Sequence, residues 1–245
     1  MIPLSPELQA ALVNPPEEDS IVRCIYANEA VKGFVVVAGK STLRQFPRAA
    51  EYKIHFLKAE GTIRDYNNEQ EYRNTQEVWD QLPNLGPVPI GFTEDTFRSE
   101  YIEGLTVRAK FAAYGLFPTS KEAIYSPCPE SVLQSAWETG VNTLSAILTL
   151  HDIEKVHRDM HMEQAILRPD GNISIIDFET LRAPQSEEEY DWDLSNLKSF
   201  AKRILHSGYK PEEGPLLSLA KGAKHGDKEI ISSPRLNFTS DALDV

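Results

Sequence analysis

The periodicity of the apolar residues changes along this 245-residue chain, and that change limits the fold more than any other feature. From Ser20 to Leu57 three β-branched and aromatic runs, "SIVRCIY", "GFVVVAG" and "EYKIHFL", are separated by turn-prone segments, which predicts three strands. "NNEQEYRNTQEVWDQL" then becomes helical, with Tyr72, Val78, Trp79 and Leu82 as its apolar stripe, until "PNLGPVPIGF" breaks it. "FRSEYIEGL" predicts a short strand ending at Gly104. Further on, "PESVLQSAWETGVNTLSAILTLHDI" repeats Leu133, Trp137, Val141, Leu144 and Leu148 at four- and three-residue steps, a helix buried along one side. "DWDLSNLKSFAKRIL" is again helical. A strand-rich part followed by a helical part is the pattern of an α+β fold.

With 41% apolar residues the chain can build a real core, as one large domain or two lobes. A net charge of −12 argues against non-specific binding to nucleic acid or to an anionic membrane, although a local basic pocket could still hold a phosphate. Residues 1–19, proline-rich and acidic, are expected to form a leader or short helix. They have neither a basic start nor a long apolar run, and "GFVVVAG" is too short to span a bilayer. The expected location is cytoplasmic, and export by a specialised secretion system would leave no mark in the sequence. Cys24 and Cys128 read as reduced core residues. The tail from about residue 225 reads as loosely held.

The unusual chemistry is concentrated in "VHRDMHMEQAILRPDGNISIIDFETLR", residues 156–182. "AIL" and "ISIIDF" read as two strands joined by "RPDGN", with Asp170-Gly171 as the hairpin signal. Asp159 lies in the turn before the first strand, Gln164 enters that strand and Asp177 ends the second, so the three side chains can converge. A carboxylate on a rigid turn can take the proton of an attacking hydroxyl, and a second carboxylate with an amide oxygen can hold Mg²⁺ against phosphate oxygens. Phosphoryl transfer needs these parts.

The segment "HRDMHMEQ...IDFE" resembles the catalytic loop H-R-D-x-x-x-x-N and the D-F-G motif of the protein kinase-like superfamily. Gln164 stands where most of that family has Asn, and Glu179 where protein kinases have Gly. The variant H-x-D-x-H-x-x-Q with D-F-E is similar to some sugar and antibiotic kinases, a pattern His161 and Glu179 also fit. The resemblance spans roughly residues 20–206. It implies a bilobal fold, with a β-rich first lobe carrying one helix over residues 20–99 and a hinge followed by a mainly helical second lobe over 100–245. It implies transfer of the γ-phosphate of ATP to a hydroxyl, with Asp159 as base or nucleophile orienter and Asp177 and Gln164 on Mg²⁺. His157 and Arg158 would support the loop. Upstream, Lys53 would hold the phosphates and Glu71 would orient Lys53, with Lys58 and Glu77 as the competing pair. Gly33 would belong to the phosphate-covering loop, and Glu100, Tyr101 and Ile102 would offer backbone groups to the adenine. The acceptor is a protein in the Ser/Thr reading, which Arg158 favours. It is a small molecule in the reading that Gln164, Glu179 and the short stretch after "DFE" favour. A nucleotide-binding pseudokinase is the third alternative.

Some of these residues also have plainer readings. His157 can be a buried histidine bonded to backbone, and Met160 and Met162 loop packing. Glu187 to Glu189 read as a solvated charge run that Arg158 could meet, and Asp191 or Asp193 as the cap of the catalytic loop. His55, His151, His206 and His225 show no metal-ligand spacing with one another or with the cysteines. "GFVVVAGKST" is no P-loop, because Phe34 stands where the first glycine of G-x-x-x-x-G-K-[ST] belongs.

Overall fold

The computed structural model describes residues 20–28, 33–40, 52–57, 68–92, 96–100, 102–112, 114–117 and 128–235, and the fold is mixed α+β. Its contacts divide it into two units, one made of residues 1–80 and 87–102, the other of 81–86 and 103–245. The expected boundary at residues 99 and 100 thus moves to 102 and 103, and a short segment changes sides. That segment belongs to the second unit because the carbonyl of Leu85 accepts the Ile175 N–H at 2.7 Å and that of Asn84 accepts the Ser174 hydroxyl at 3.2 Å.

The first unit contains the three predicted strands, β1 (Ser20–Asn28), β2 (Gly33–Lys40) and β3 (Tyr52–Leu57), then helix α1 (Asn68–Gln81) and strands β4 (Pro89–Phe92) and β5 (Thr96–Glu100). They form one antiparallel sheet in the order β1-β2-β3-β5-β4, with Val37 opposite Lys53 and Lys53 opposite Ser99. β4 lies in a segment read as a helix breaker. It pairs with β5 alone, and an edge position is where a strand tolerates a leading proline.

On α1 the buried residues are Glu71, Asn74, Thr75 and Val78, spaced as one helical face. The expected stripe through Tyr72, Trp79 and Leu82 is only half-buried. The face that turns inward is largely polar, so hydropathy points to its flank. Tyr72 instead meets the ring of Phe92 at 5.2 Å between centroids.

The second unit begins with β6 (Leu105–Thr106), so the strand expected to run to Gly104 is two strands of different sheets. Gly104 separates them at φ 151°, a conformation that L side chains rarely adopt. Helices α2 (Val107–Ala112) and α3 (Glu130–Asp152) follow, then β7 (Ala165–Leu167) and β8 (Ile173–Ile175), and β6-β7-β8 form an antiparallel sheet. The hairpin turns at Asp170-Gly171, where Gly171 has φ 86° and the Asp170 carboxylate accepts the Asn172 N–H at 2.9 Å. A 3-10 turn (Phe178–Thr180) leads to α4 (Glu188–His206), α5 (Pro215–Lys221) and α6 (Lys228–Ile231).

α3 is the centre of this unit's core. Every residue from Thr143 to His151 is buried, so its second half is covered on all sides and not along one stripe as predicted. α4 contributes Leu194, Leu197, Phe200, Ala201 and Ile204 to the same core. The tail expected to be loose from about residue 225 is packed as far as Arg235. Ile230 is fully buried, Ser145 Oγ donates to the Pro234 carbonyl at 2.7 Å, and Arg235 pairs with Asp152 at 2.6 Å. These contacts lie 80 or more residues away in sequence, beyond the reach of local composition.

Candidate functional site

The loop entering β7 is held from beneath by one carboxylate. Asp193, on α4 and with no exposed surface, accepts the His157 N–H through Oδ2 and the Arg158 N–H through Oδ1, each at 2.7 Å. His151 Nε2, from α3, donates to the same Oδ2 at 3.2 Å. Three donors on one buried carboxylate satisfy a charge that would otherwise be costly to desolvate. They also fix Arg158 at φ 68°, a left-handed conformation that a long side chain seldom adopts. Of the two aspartates read as possible caps, Asp193 takes the role. Asp191 instead accepts the His225 N–H at 2.8 Å.

The rest of the loop is fastened by one backbone pair and two side chains. Val156 and Arg182 exchange backbone hydrogen bonds at 2.9 and 3.2 Å, Thr180 Oγ1 donates to the His157 carbonyl at 2.6 Å, and Asn196 Nδ2 to the Met160 carbonyl at 3.0 Å. Met160 and Met162 are buried packing, as expected. Between these anchors Asp159 keeps its side chain 38% exposed, and His161 Nε2 donates to its Oδ1 at 3.1 Å.

His157 links this loop to the hairpin. Its ring is fully buried and Nε2–H donates to the Ile176 carbonyl at 2.9 Å, so it acts on the backbone beside Asp177 and not on a ligand. The carbonyl partner fixes the tautomer, because only a protonated ring nitrogen can donate to it. Ile176 N–H in turn donates to the Gln164 carbonyl at 3.0 Å, which extends the β7-β8 ladder by one step. Asp177 follows at φ 69°, which its short polar side chain tolerates, and its carboxylate caps no N–H of the turn after it. The Gln164 Oε1 accepts the His161 N–H at 3.2 Å. Asp159, Gln164 and Asp177 are therefore all placed by one hydrogen-bonded network within the second unit.

The upstream residues belong to the first unit, apart from those outside the described set. Lys53 lies in β3 and Gly33 begins β2, while Glu71 is buried on α1 and partnered. Glu100 ends β5, Ile102 is half-buried after it, and Lys58 and Tyr101 lie outside the described residues.

Two features were not legible beforehand. Glu189, read as part of a solvated charge run, is buried. It accepts Arg182 Nη2 at 2.5 Å and the Gln185 N–H at 2.8 Å, and the Arg158 Nε lies 3.9 Å away. Glu187 and Glu188 are exposed as expected. Beside Asp193, Tyr190 stacks on His225 at 4.3 Å, and both rings meet His151 edge-on at 4.7 and 5.0 Å. Burial, then the neighbouring His151, lowers the pKa of His225, and burial raises that of Tyr190. Cys128 carries a free thiol whose pKa is raised by burial. An α4 residue that holds an α3–β7 loop can be found in sequence only by assuming the fold.

Among the described residues no group of three or more His, Cys, Asp or Glu side chains could hold a metal ion. Asp177 and Gln164 each carry an oxygen of the hard type that could serve Mg²⁺, an ion that takes most of its ligands from water and phosphate. Asp159 itself is a fixed, part-exposed carboxylate of the kind that can accept a proton. No helix among the described residues is long and apolar enough to cross a membrane. No protein-family model matches the chain, and no curated protein matches it.

Proposed function

We propose that the protein is a divergent member of the protein kinase-like superfamily, with a bilobal fold, that transfers the γ-phosphate of ATP to a hydroxyl group. The observation that carries this reading is the shared support of the two aspartates. Asp193 fixes the backbone before Asp159, and His157, bound by that same carboxylate, fixes the backbone before Asp177. A network of this kind is expected where a base and a metal ligand must keep their positions during a reaction that depends on preorganisation.

In the proposed reaction the acceptor oxygen forms a bond to the γ-phosphorus and its proton passes to Asp159. The bond from that phosphorus to the β,γ-bridging oxygen breaks, and its electron pair leaves on ADP. Asp177 and Gln164 would hold Mg²⁺, which neutralises phosphate charge when bound. Lys53 would contact the nucleotide phosphates and Glu71 would orient Lys53. His157 and Arg158 act through the backbone, as positioning residues.

Between the two acceptor readings, the loop favours a small molecule over a Ser/Thr protein. Arg158, the residue that suggested a protein kinase, lies 3.9 Å from the buried carboxylate Glu189, which gives its charge a partner within the chain. Only residues 181–187 separate the 3-10 turn from α4, which leaves little chain for a peptide-binding segment.

The test is ATP turnover with Mg²⁺, using labelled ATP against a protein extract and a panel of small hydroxylated molecules. Asp159→Ala should lower transfer by about 10²–10⁴-fold, the usual contribution of a positioned base. Transfer by Asp159→Ala at the wild-type rate would refute the assignment.

A further inference from the structure

A cavity of about 190 Å³ opens beside the catalytic loop, lined in part by Arg108, His161, Asn196, Ser199, Phe200 and Arg203. The last four lie on one face of α4, at the three- and four-residue steps that align side chains on a helix. Phe117 stacks on Phe200 at 4.9 Å, with the rings nearly parallel, and gives the cavity an apolar wall. Asn196 is held by the Met160 carbonyl and Ser199 by that of Ser195, so two polar groups are already oriented.

Two facts make this cavity unlike the rest of the surface. The chain has a net charge of −12, yet among the described residues that line the cavity there are two arginines and no carboxylate. Arg108 pairs with Glu163 outside it at 3.2 Å, while no carboxylate among the described residues pairs with Arg203. An arginine facing a concave site without a counter-ion is suited to a carboxylate or a phosphate, which its planar fork binds through two hydrogen bonds. The second fact is position. His161 lines the cavity and its Nε2 donates to Asp159 Oδ1 at 3.1 Å, so one side chain connects the cavity to the proposed base.

We propose that this cavity is the acceptor subsite and that it takes a small hydroxylated anion, a phosphate ester or carboxylate of metabolite size. Arg203 and Arg108 hold the anionic group, the Phe117–Phe200 wall carries the carbon skeleton, and the acceptor hydroxyl lies toward Asp159. The volume is below the roughly 300–1,000 Å³ of sites for drug-sized ligands, which favours a compact molecule. Cationic aminoglycosides are disfavoured, because they would bring their charge against two arginines. This assignment rests on the phosphotransferase reading for the hydroxyl's fate, but the anion site can be tested without it.

The experiment has a binding arm and a turnover arm, both on the full chain at low salt. Binding of glycerol 3-phosphate, glycerate and glucose 6-phosphate is measured by calorimetry beside neutral glycerol and glucose and cationic kanamycin. ADP release is then followed with the same compounds. Thermal unfolding of every variant confirms folding. At least one of the anions should bind more tightly than its neutral match. Arg203→Gln should weaken that binding by about tenfold or more, as expected for loss of a charge-assisted contact. Arg203→Lys should fall between the two, and Lys202→Gln, which removes an equal charge from the exposed face of α4, should leave binding unchanged. Anion binding that depends on Arg203, with no ADP release on any acceptor, would retain the site and overturn the phosphotransferase reading. Turnover of a neutral or cationic acceptor, undiminished in Arg203→Gln, would do the reverse. Failure of all three anions to bind, or equal loss in Lys202→Gln, overturns the proposal.

Discussion

The Asp193 carboxylate accepts the Arg158 N–H at 2.7 Å from a site with no exposed surface, and so fixes the residue just before the proposed base. The bond joins a helix to a loop 35 residues away, and with the bond to His157 it makes α4 the foundation of the loop. Asp193→Ala would leave two backbone N–H groups and His151 without their acceptor. We expect a loss of about 3–5 kcal/mol, the range for removing one member of a buried, fully bonded charge group. Urea unfolding measures it. In the fraction that stays folded, ATP turnover should fall although Asp193 touches no substrate, and an unchanged midpoint would contradict the network.

Asp177 and Gln164 should separate by their dependence on Mg²⁺. Asp177→Asn keeps the size and tolerates the left-handed backbone, so the fold should survive while a charged ligand is lost. The half-saturating Mg²⁺ concentration for turnover should rise by about tenfold or more in Asp177→Asn and less in Gln164→Ala, since a neutral amide binds the ion more weakly than a carboxylate. Equal curves for wild type and Asp177→Asn would remove Asp177 from the metal site.

Much of this organisation is legible in the sequence where the signal is local. β1, β2, β3, α1, α3, α4 and the Asp170-Gly171 hairpin follow from period and turn chemistry. β4 and β6 escape because short strands are defined by their partners and not by their own residues. In the site, Asp159, Gln164 and Asp177 stand out by type and spacing. The choice of Asp193 over Asp191 needs α4 to be docked, because both lie in the same acidic run and only one faces the loop. Glu189 shows the same limit more sharply. It is one of three consecutive glutamates, and its burial depends on where Arg182 and Gln185 arrive.

Glu189→Ala should therefore behave unlike Glu188→Ala. The first leaves Arg182 and the Gln185 N–H without their acceptor in a largely buried place, at a cost of about 2 kcal/mol. The second alters an exposed side chain and should stay within about 0.5 kcal/mol. Chemical unfolding of the pair checks both, and equal effects would mean that the buried ion pair contributes nothing.

Gly86 sets a further constraint beside Asp177. A Cβ at that position would come 2.6 Å from the Phe178 ring, which is fully buried, and 3.3 Å from the Ile175 carbonyl. Gly86→Ala should cost about 1–3 kcal/mol through overpacking. Because Phe178 follows Asp177, turnover should fall as well. Retained stability and turnover would show that the ring moves aside freely.

The histidine cluster behind Asp193 gives the protein an acid-sensitive point. His225 has its pKa lowered from the ordinary 6.5 by burial and by His151, and raised in smaller measure by Glu187 and Asp191. Arg235 adds a further lowering. As pH falls, the unfolded chain takes this proton before the folded one, so the unfolded state binds more protons and stability declines. The contribution is fully present above about pH 6.5 and is lost as pH drops through that value toward the lower folded one. The melting temperature should fall between about pH 7.5 and 5.5. His225→Phe keeps an aromatic ring against Tyr190, 4.3 Å away in the wild type, but cannot take the proton, so it should flatten that part of the profile. A profile as steep in His225→Phe as in wild type would place the acid sensitivity elsewhere.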